Sequence, residues 1–180
     1  MHPALGPAII LAASLAAAAA WAGEYGTTNP EEMTLDRALS DVQRGKTNMM
    51  NCAIGYAFTK KGDHGAAREI FTPCADAGYT GAMNWMSALA DNGLGAAENP
   101  DEAAEWSRRS AEAGDSVGMF NYGLHLMRGR GVARDEAAGR AMVDSAAAQG
   151  LPIARRLQGA DYDLDEVTPD ADNWKYAPSF

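Results

Sequence analysis

Glycine recurs at a fixed interval in this chain, and that interval constrains the fold more than any other feature. Ala75-Asp76-Ala77-Gly78, Ala111-Glu112-Ala113-Gly114 and Ala147-Ala148-Gln149-Gly150 place their last glycines 36 residues apart. Met83 and Met119, Gly93 and Gly129, Gly95 and Gly131, and Trp106 and Met142 obey the same step. Self-similarity of this length marks an array of small units, each unable to bury its apolar face alone. Each unit has room for two short helices around a Gly-x-Gly turn. In the best-defined one the pattern predicts helices over 117–128 and 135–149, with the turn at 129–132. Asn99-Pro100 supplies an N-cap followed by a proline at the first helical position. Gly78, Gly114 and Gly150 sit where a left-handed residue closes the second helix of each unit. Runs alternating between apolar and polar residues are scarce, so the expected class is all-α.

The residues that carry the repeat also carry a resemblance. Ala82, Gly93-x-Gly95, Ala103-Ala104-x-Trp106, Ala111 and Gly114 in one unit resemble a Sel-one-like repeat, a relative of the tetratricopeptide repeat with a longer glycine turn. Gly118, Tyr122-Gly123, Gly129-x-Gly131-Val132, Asp135, Ala146-Ala147 and Gly150 match the pattern more fully, while Met86 and Ser87 depart from the usual Leu-Gly pair. The preceding unit is shorter; its Ile54-Gly55-x-x-Phe58, Ala67 and Phe71 are similar to an ordinary tetratricopeptide hairpin. The units are therefore 46–78, 79–114 and 115–150, with a partial fourth at 151–159. The resemblance implies a right-handed superhelical solenoid of antiparallel helix pairs.

Three segments lie outside the repeats. Residues 4–20 are almost continuously apolar and end in Ala20-Trp21-Ala22, which fits an export signal removed after residue 22. Within 23–45, Leu35, Ala38, Leu39 and Val42 follow helical spacing. Asn29-Pro30-Glu31-Glu32 offers that helix a start and Gly45 a stop, so it is expected to cap the array. Residues 160–180 hold six of the 24 acidic residues and one of the 15 basic ones. The net charge of −9 is thus concentrated there, and the repeat region itself is only mildly acidic. That balance argues against nucleic acid and against anionic membrane surfaces. Asp161, Asp163, Asp165 and Asp172 resemble a calcium loop, but Glu166 replaces the glycine its turn requires, and a solvated acidic tail is the simpler expectation. Trp174, Tyr176 and Phe180 follow, either as a cap on the unfinished fourth unit or as a segment that docks to another protein.

Cys52 and Cys74 are equidistant from Asp63, in the turn of the first unit. Antiparallel helices rise equally on both sides of such a turn, so the two cysteines should lie level. An exported chain with an even cysteine count oxidises such a pair, whereas a cytosolic repeat protein keeps two buried thiols. Catalytic patterns are missing. His2, His64 and His125 are scattered without zinc spacing, and none of Lys46, Lys60, Lys61 or Lys175 follows Ser or Thr by three residues. No cofactor or metal site and no catalytic residue is expected.

The tetratricopeptide resemblance implies a concave face lined by the first helix of each unit, binding a peptide or protein. Carried over position by position, it points to Tyr56, Thr59 and Lys60, to Asn84, Ala88, Asp91 and Asn92, and to Phe120, Leu124, Met127 and Arg128. Asparagine serves a peptide backbone as both donor and acceptor, and Phe120 and Met127 would be apolar anchors. The competing expectation is a wet helix face with Phe120 and Met127 in the core, alongside Met83, Trp106, Met119 and Met142. The functional expectation is an exported, periplasmic interaction module without catalysis. Some secreted cysteine-bridged proteins resembling this one are linked to penicillin binding, so the resemblance also implies a hydrolase-like alternative.

Overall fold

The structure, a computed structural model, describes residues 34–167. The chain divides into a unit 1–37, of which Thr34–Arg37 are described, and a compact unit 38–180. The described helices are α1 (Leu35–Gln43), α2 (Met49–Lys61), α3 (His64–Asp76), α4 (Thr80–Asp91), α5 (Pro100–Glu112), α6 (Ser116–Arg128), α7 (Glu136–Ala148) and α8 (Pro152–Gly159). A 3-10 turn at Leu164–Glu166 follows, and there is no strand among the described residues. The fold is an all-α helical solenoid: from α2 onward each helix packs chiefly on its neighbours in sequence. The expected export signal, the Asn29-Pro30 start and the aromatic segment with Asp172 lie outside the described residues. Within them, no helix is long and apolar enough to cross a membrane.

Local chemistry explains where the helices stop and start. The second helices α3, α5 and α7 all end in the same way. Gly78, Gly114 and Gly150 take φ of +94°, +87° and +98°. At the first of these ends the Gly78 N–H bonds the Ala75 carbonyl at 3.0 Å and the Tyr79 N–H bonds the Cys74 carbonyl at 3.1 Å. Gly114 and Asp115, and then Gly150 and Leu151, repeat that pair of bonds. This is a Schellman closure, which satisfies carbonyls that the helix end leaves open. Helix starts are capped by side chains: Asn99 accepts from the Glu102 N–H, and Asp135 accepts from the Ala138 N–H.

The second glycine of each turn does a different job. Gly95 and Gly131 have φ of +75° and +68° and press on the start of the preceding unit's second helix. A Cβ on Gly95 would lie 2.6 Å from the His64 carbonyl oxygen, and one on Gly131 would lie 1.9 Å from that of Pro100. Side chains reinforce these joints. Asp115 caps α6 and also accepts from Thr80 at 3.1 Å and Asn84 at 3.0 Å on α4. On the opposite side Arg68 on α3 pairs with Glu102 on α5 at 2.6 Å, and Glu102 also accepts from the Trp106 indole.

Cys52 and Cys74 form a disulfide across the α2–α3 hairpin, with Cα atoms 5.8 Å apart. Met83 and Trp106 are buried, and Met119 packs at the edge of the C-terminal core. Residues 160–167, expected to be a solvated tail, instead fold onto the array. Their acids face out while Tyr162, Leu164 and Val167 cover the core of α6, α7 and α8, because the unfinished fourth unit leaves apolar surface there. Tyr162 donates to Asp144, and the Arg140 guanidinium lies 4.6 Å from its ring centroid.

Candidate interaction surface

The first helices of the three units, α2, α4 and α6, lie side by side, and two clefts form between them. The α4–α6 cleft is small and polar, about 100 Å³. It gathers five residues expected to bind a partner, Ala88, Asp91, Asn92, Leu124 and Arg128, with Asn121, His125 and Arg130 around them. Arg130 ties the walls together: its Nε donates to the Asp91 carboxylate at 2.7 Å and its Nη2 to Glu98 at 2.7 Å. The buried His125 donates through Nδ1 to the Arg130 carbonyl at 3.0 Å. Burial pushes its pKa below the ordinary histidine value, outweighing the Arg130 carbonyl and Asp91, so the ring is neutral at pH 7. Arg128 is half-buried and donates to the Val167 carbonyl at 2.9 Å. Desolvation lowers its pKa, while Asp91 and Asp165 oppose this through space.

The α2–α4 cleft is larger, about 490 Å³, and apolar. Met49, Ala53 and Tyr56 form one wall, Thr80, Gly81 and Trp85 the other, and Phe71 the floor beside the disulfide. Phe71 and Trp85 stack at 5.9 Å with their planes 4° apart, and Tyr56 tilts against Trp85 at 5.5 Å. The Lys60 ammonium stands 5.2 Å from the Tyr56 ring centroid. Tyr56 is 46% exposed and Met49 76% exposed, so this aromatic wall is open to solvent.

Three of the residues expected on the binding face are buried. Phe120, Leu124 and Met127 are buried in the core with Val143, Ala146 and Leu157, and Phe120 and Met127 are only 5% and 3% exposed. On α6 Phe120 and Met127 face the helices that follow, while Leu124 also lines the α4–α6 cleft. Asn84 is committed as well, since its amide donates to Asp115 at the joint. Tyr56, Lys60, Asp91, Asn92 and Arg128 keep part of their surface accessible. Sequence reasoning missed Trp85 and Met49. Trp85 has asparagine, Asn121, one period later, so a search for recurring residues passes over it. A large aromatic among the smaller residues of an amphipathic helix was the signal available.

Among the described residues no group of three or more His, Cys, Asp or Glu side chains is arranged to hold a metal ion. Asp163 is engaged in its own turn, accepting from the Asp165 N–H at 3.0 Å.

Comparison with known proteins agrees with this architecture. The Sel1 repeat family model matches residues 80–115 and 116–151. A Sel1 repeat protein from Oxalobacter formigenes is similar in structure, with 25% identity and a TM-score of 0.57 over 63% of this chain and 45% of that one. A protective antigen present in uropathogenic Escherichia coli strains, displaying an SLR fold, has 25% identity and a TM-score of 0.61 over 70% of this chain and 29% of that one. The chain thus spans less than half the length of either protein. No curated protein sequence matches it.

Proposed function

Starting from a Sel1-like repeat protein, we propose a non-catalytic interaction module of the cell envelope that binds a peptide or protein on its α2, α4 and α6 face. Sel1 repeats are protein-interaction modules, and two of them match residues 80–115 and 116–151. The observation that carries the reading is the α2–α4 cleft. An aromatic wall of Tyr56 and Trp85, open to solvent and rimmed by Met49, is the kind of surface on which partners bury their anchors. The neighbouring polar cleft, with Asn92, Asn121 and Arg128, adds donors and acceptors for a main chain that crosses both.

Export to the periplasm rests on the apolar stretch 4–20 before Ala20-Trp21-Ala22, and the Cys52–Cys74 disulfide suits an oxidising compartment. The test is capture from periplasmic extract by the wild type and by a double variant, Met49→Glu and Tyr56→Glu. Both residues are exposed, so the variant should keep its melting temperature and lose the captured protein. Equal capture by a folded variant would refute the reading.

A further inference from the structure

The α4–α6 cleft holds a charge that its own walls leave unanswered. Asp91, Arg128 and Arg130 are the charged side chains that line it. Asp91 is taken by Arg130, which also bonds the Asp91 carbonyl at 3.1 Å and reaches the exposed Glu98. His125 is neutral and adds nothing to the balance. That leaves Arg128. Among the described residues no carboxylate lies within ion-pair distance of it, and Asp91 and Asp165 act on it only through space. A guanidinium carries a fork of N–H donors, and here one bond is made, to the Val167 carbonyl at 2.9 Å.

A second donor and the shape of the cleft narrow what answers that charge. Asn121 lies about two turns before Arg128 on α6 and lines the same cleft. Its side-chain amide makes no hydrogen bond among the described residues. Across the cleft the Asn92 amide donates to the Ala88 carbonyl at 2.8 Å, and Ser87 bonds Ser107 at 2.7 Å. The small side chain of Ala88 leaves the α4 side open. About 100 Å³ accommodates a carboxylate with a few carbon atoms and nothing much larger. The half-buried guanidinium has lost part of its hydration, and a planar carboxylate replaces it with parallel charge-assisted bonds. A carboxylate also carries the single charge that Arg128 lacks, whereas a phosphate group would bring excess charge near Asp91 and Asp165.

We propose that the α4–α6 cleft is a carboxylate site, in which Arg128 is the counter-ion, Asn121 the second donor and Ala88 the residue that leaves room. Two sources offer that group, a small free acid and the end of a partner's chain. Arg128 and Asn121 belong to α6 and Ala88 to α4, so a bound carboxylate sits between the second unit and the third. The site depends neither on the apolar α2–α4 cleft nor on a location in the envelope.

Side-chain NMR of the protein as recovered from cells tests this by following the Asn121 amide during titration. The probes are acetate, N-acetylglycine, the uncharged N-acetylglycinamide and inorganic phosphate. Both carboxylates should shift the signal saturably, and the uncharged amide should bind at least about tenfold more weakly. N-acetylglycine binding several-fold tighter than acetate marks a chain end, and equal binding of the two marks a free acid; either supports the site. Arg128→Gln and Ala88→Leu should each weaken acetate binding about tenfold. Ala88→Leu keeps the guanidinium and its bond to Val167, so it carries the test if the Arg128 variant does not fold. Equal binding of the uncharged amide, equal binding of phosphate, an unmoved Asn121 signal or undiminished binding by Ala88→Leu would each overturn the site. Capture by the Met49→Glu and Tyr56→Glu variant reads the apolar cleft, so failure of either reading leaves the other standing.

Discussion

Asp115 shows how much a single side chain can hold. Its carboxylate caps α6 through the Gly118 N–H and accepts from Thr80 and Asn84 on α4, so one residue joins two units. Burial pushes its pKa up, but the bonds from Asn84, Gly118 and Thr80 together outweigh that and leave it below the ordinary value. A carboxyl depressed on folding stabilises above its unfolded pKa, and that contribution is lost as pH falls through the folded pKa. Asp115→Ala should therefore cost roughly 2–3 kcal/mol at neutral pH, a lost cap plus two bonds to a charged acceptor. The gap from the wild type should narrow on acidification below the usual carboxylate range. Urea melts at neutral and acid pH measure both, and a gap independent of pH would contradict the account. Asp115 stands in the sequence right after Gly114, where a cap is expected, but its reach to Thr80 and Asn84 is not legible there. That reach depends on how two units dock, and nothing local to Asn84 announces it.

At the level of the helices, punctuation was legible and facing was not. Gly78, Gly114, Asn99 and Asp135 act within a few residues of themselves, so local chemistry identifies them. Phe120, Leu124 and Met127 are different. A helix in a stacked array shows one side to its own partner, another to the next unit and a third to solvent, and a position carried over from another repeat does not reveal which. The C-terminal turn through Val167 escaped for a related reason, since its four acids outnumber the three apolar residues that decide its packing. The turns themselves allow a sharp comparison. Gly114→Ala meets only the cost of a left-handed alanine, about 1–2 kcal/mol, because nothing lies within 4 Å of its Cβ. Gly131→Ala must in addition push back the Pro100 carbonyl, costing about 1–3 kcal/mol more. Denaturation of the two variants side by side would show the difference, and equal costs would mean that the joint yields freely.

For the molecule as a whole, stability is passed from neighbour to neighbour. Contacts run chiefly between successive helices, so a local loss need not spread far. The disulfide closes the hairpin of the first unit, with its cysteines 22 positions apart in sequence, and by the chain-entropy model contributes about 3 kcal/mol. Replacing both cysteines, Cys52→Ser with Cys74→Ser, should speed hydrogen exchange in α2 and α3 while α6 and α7 keep their protection. Uniform acceleration along the chain would instead make the array one cooperative block.

The seat of Gly131 on Pro100, and of Gly95 on His64, also bears on how such a protein can change its length. Every block of 36 residues carries a notch at one end of its joint and the helix start that fills the next notch. A block copied in register brings both halves of the fitting with it, and its neighbours meet the same surface as before. A gain of a few residues inside the turn would separate notch from helix. Growth and loss by whole units are thus the changes this architecture tolerates, and binding surface would be added in steps of one cleft.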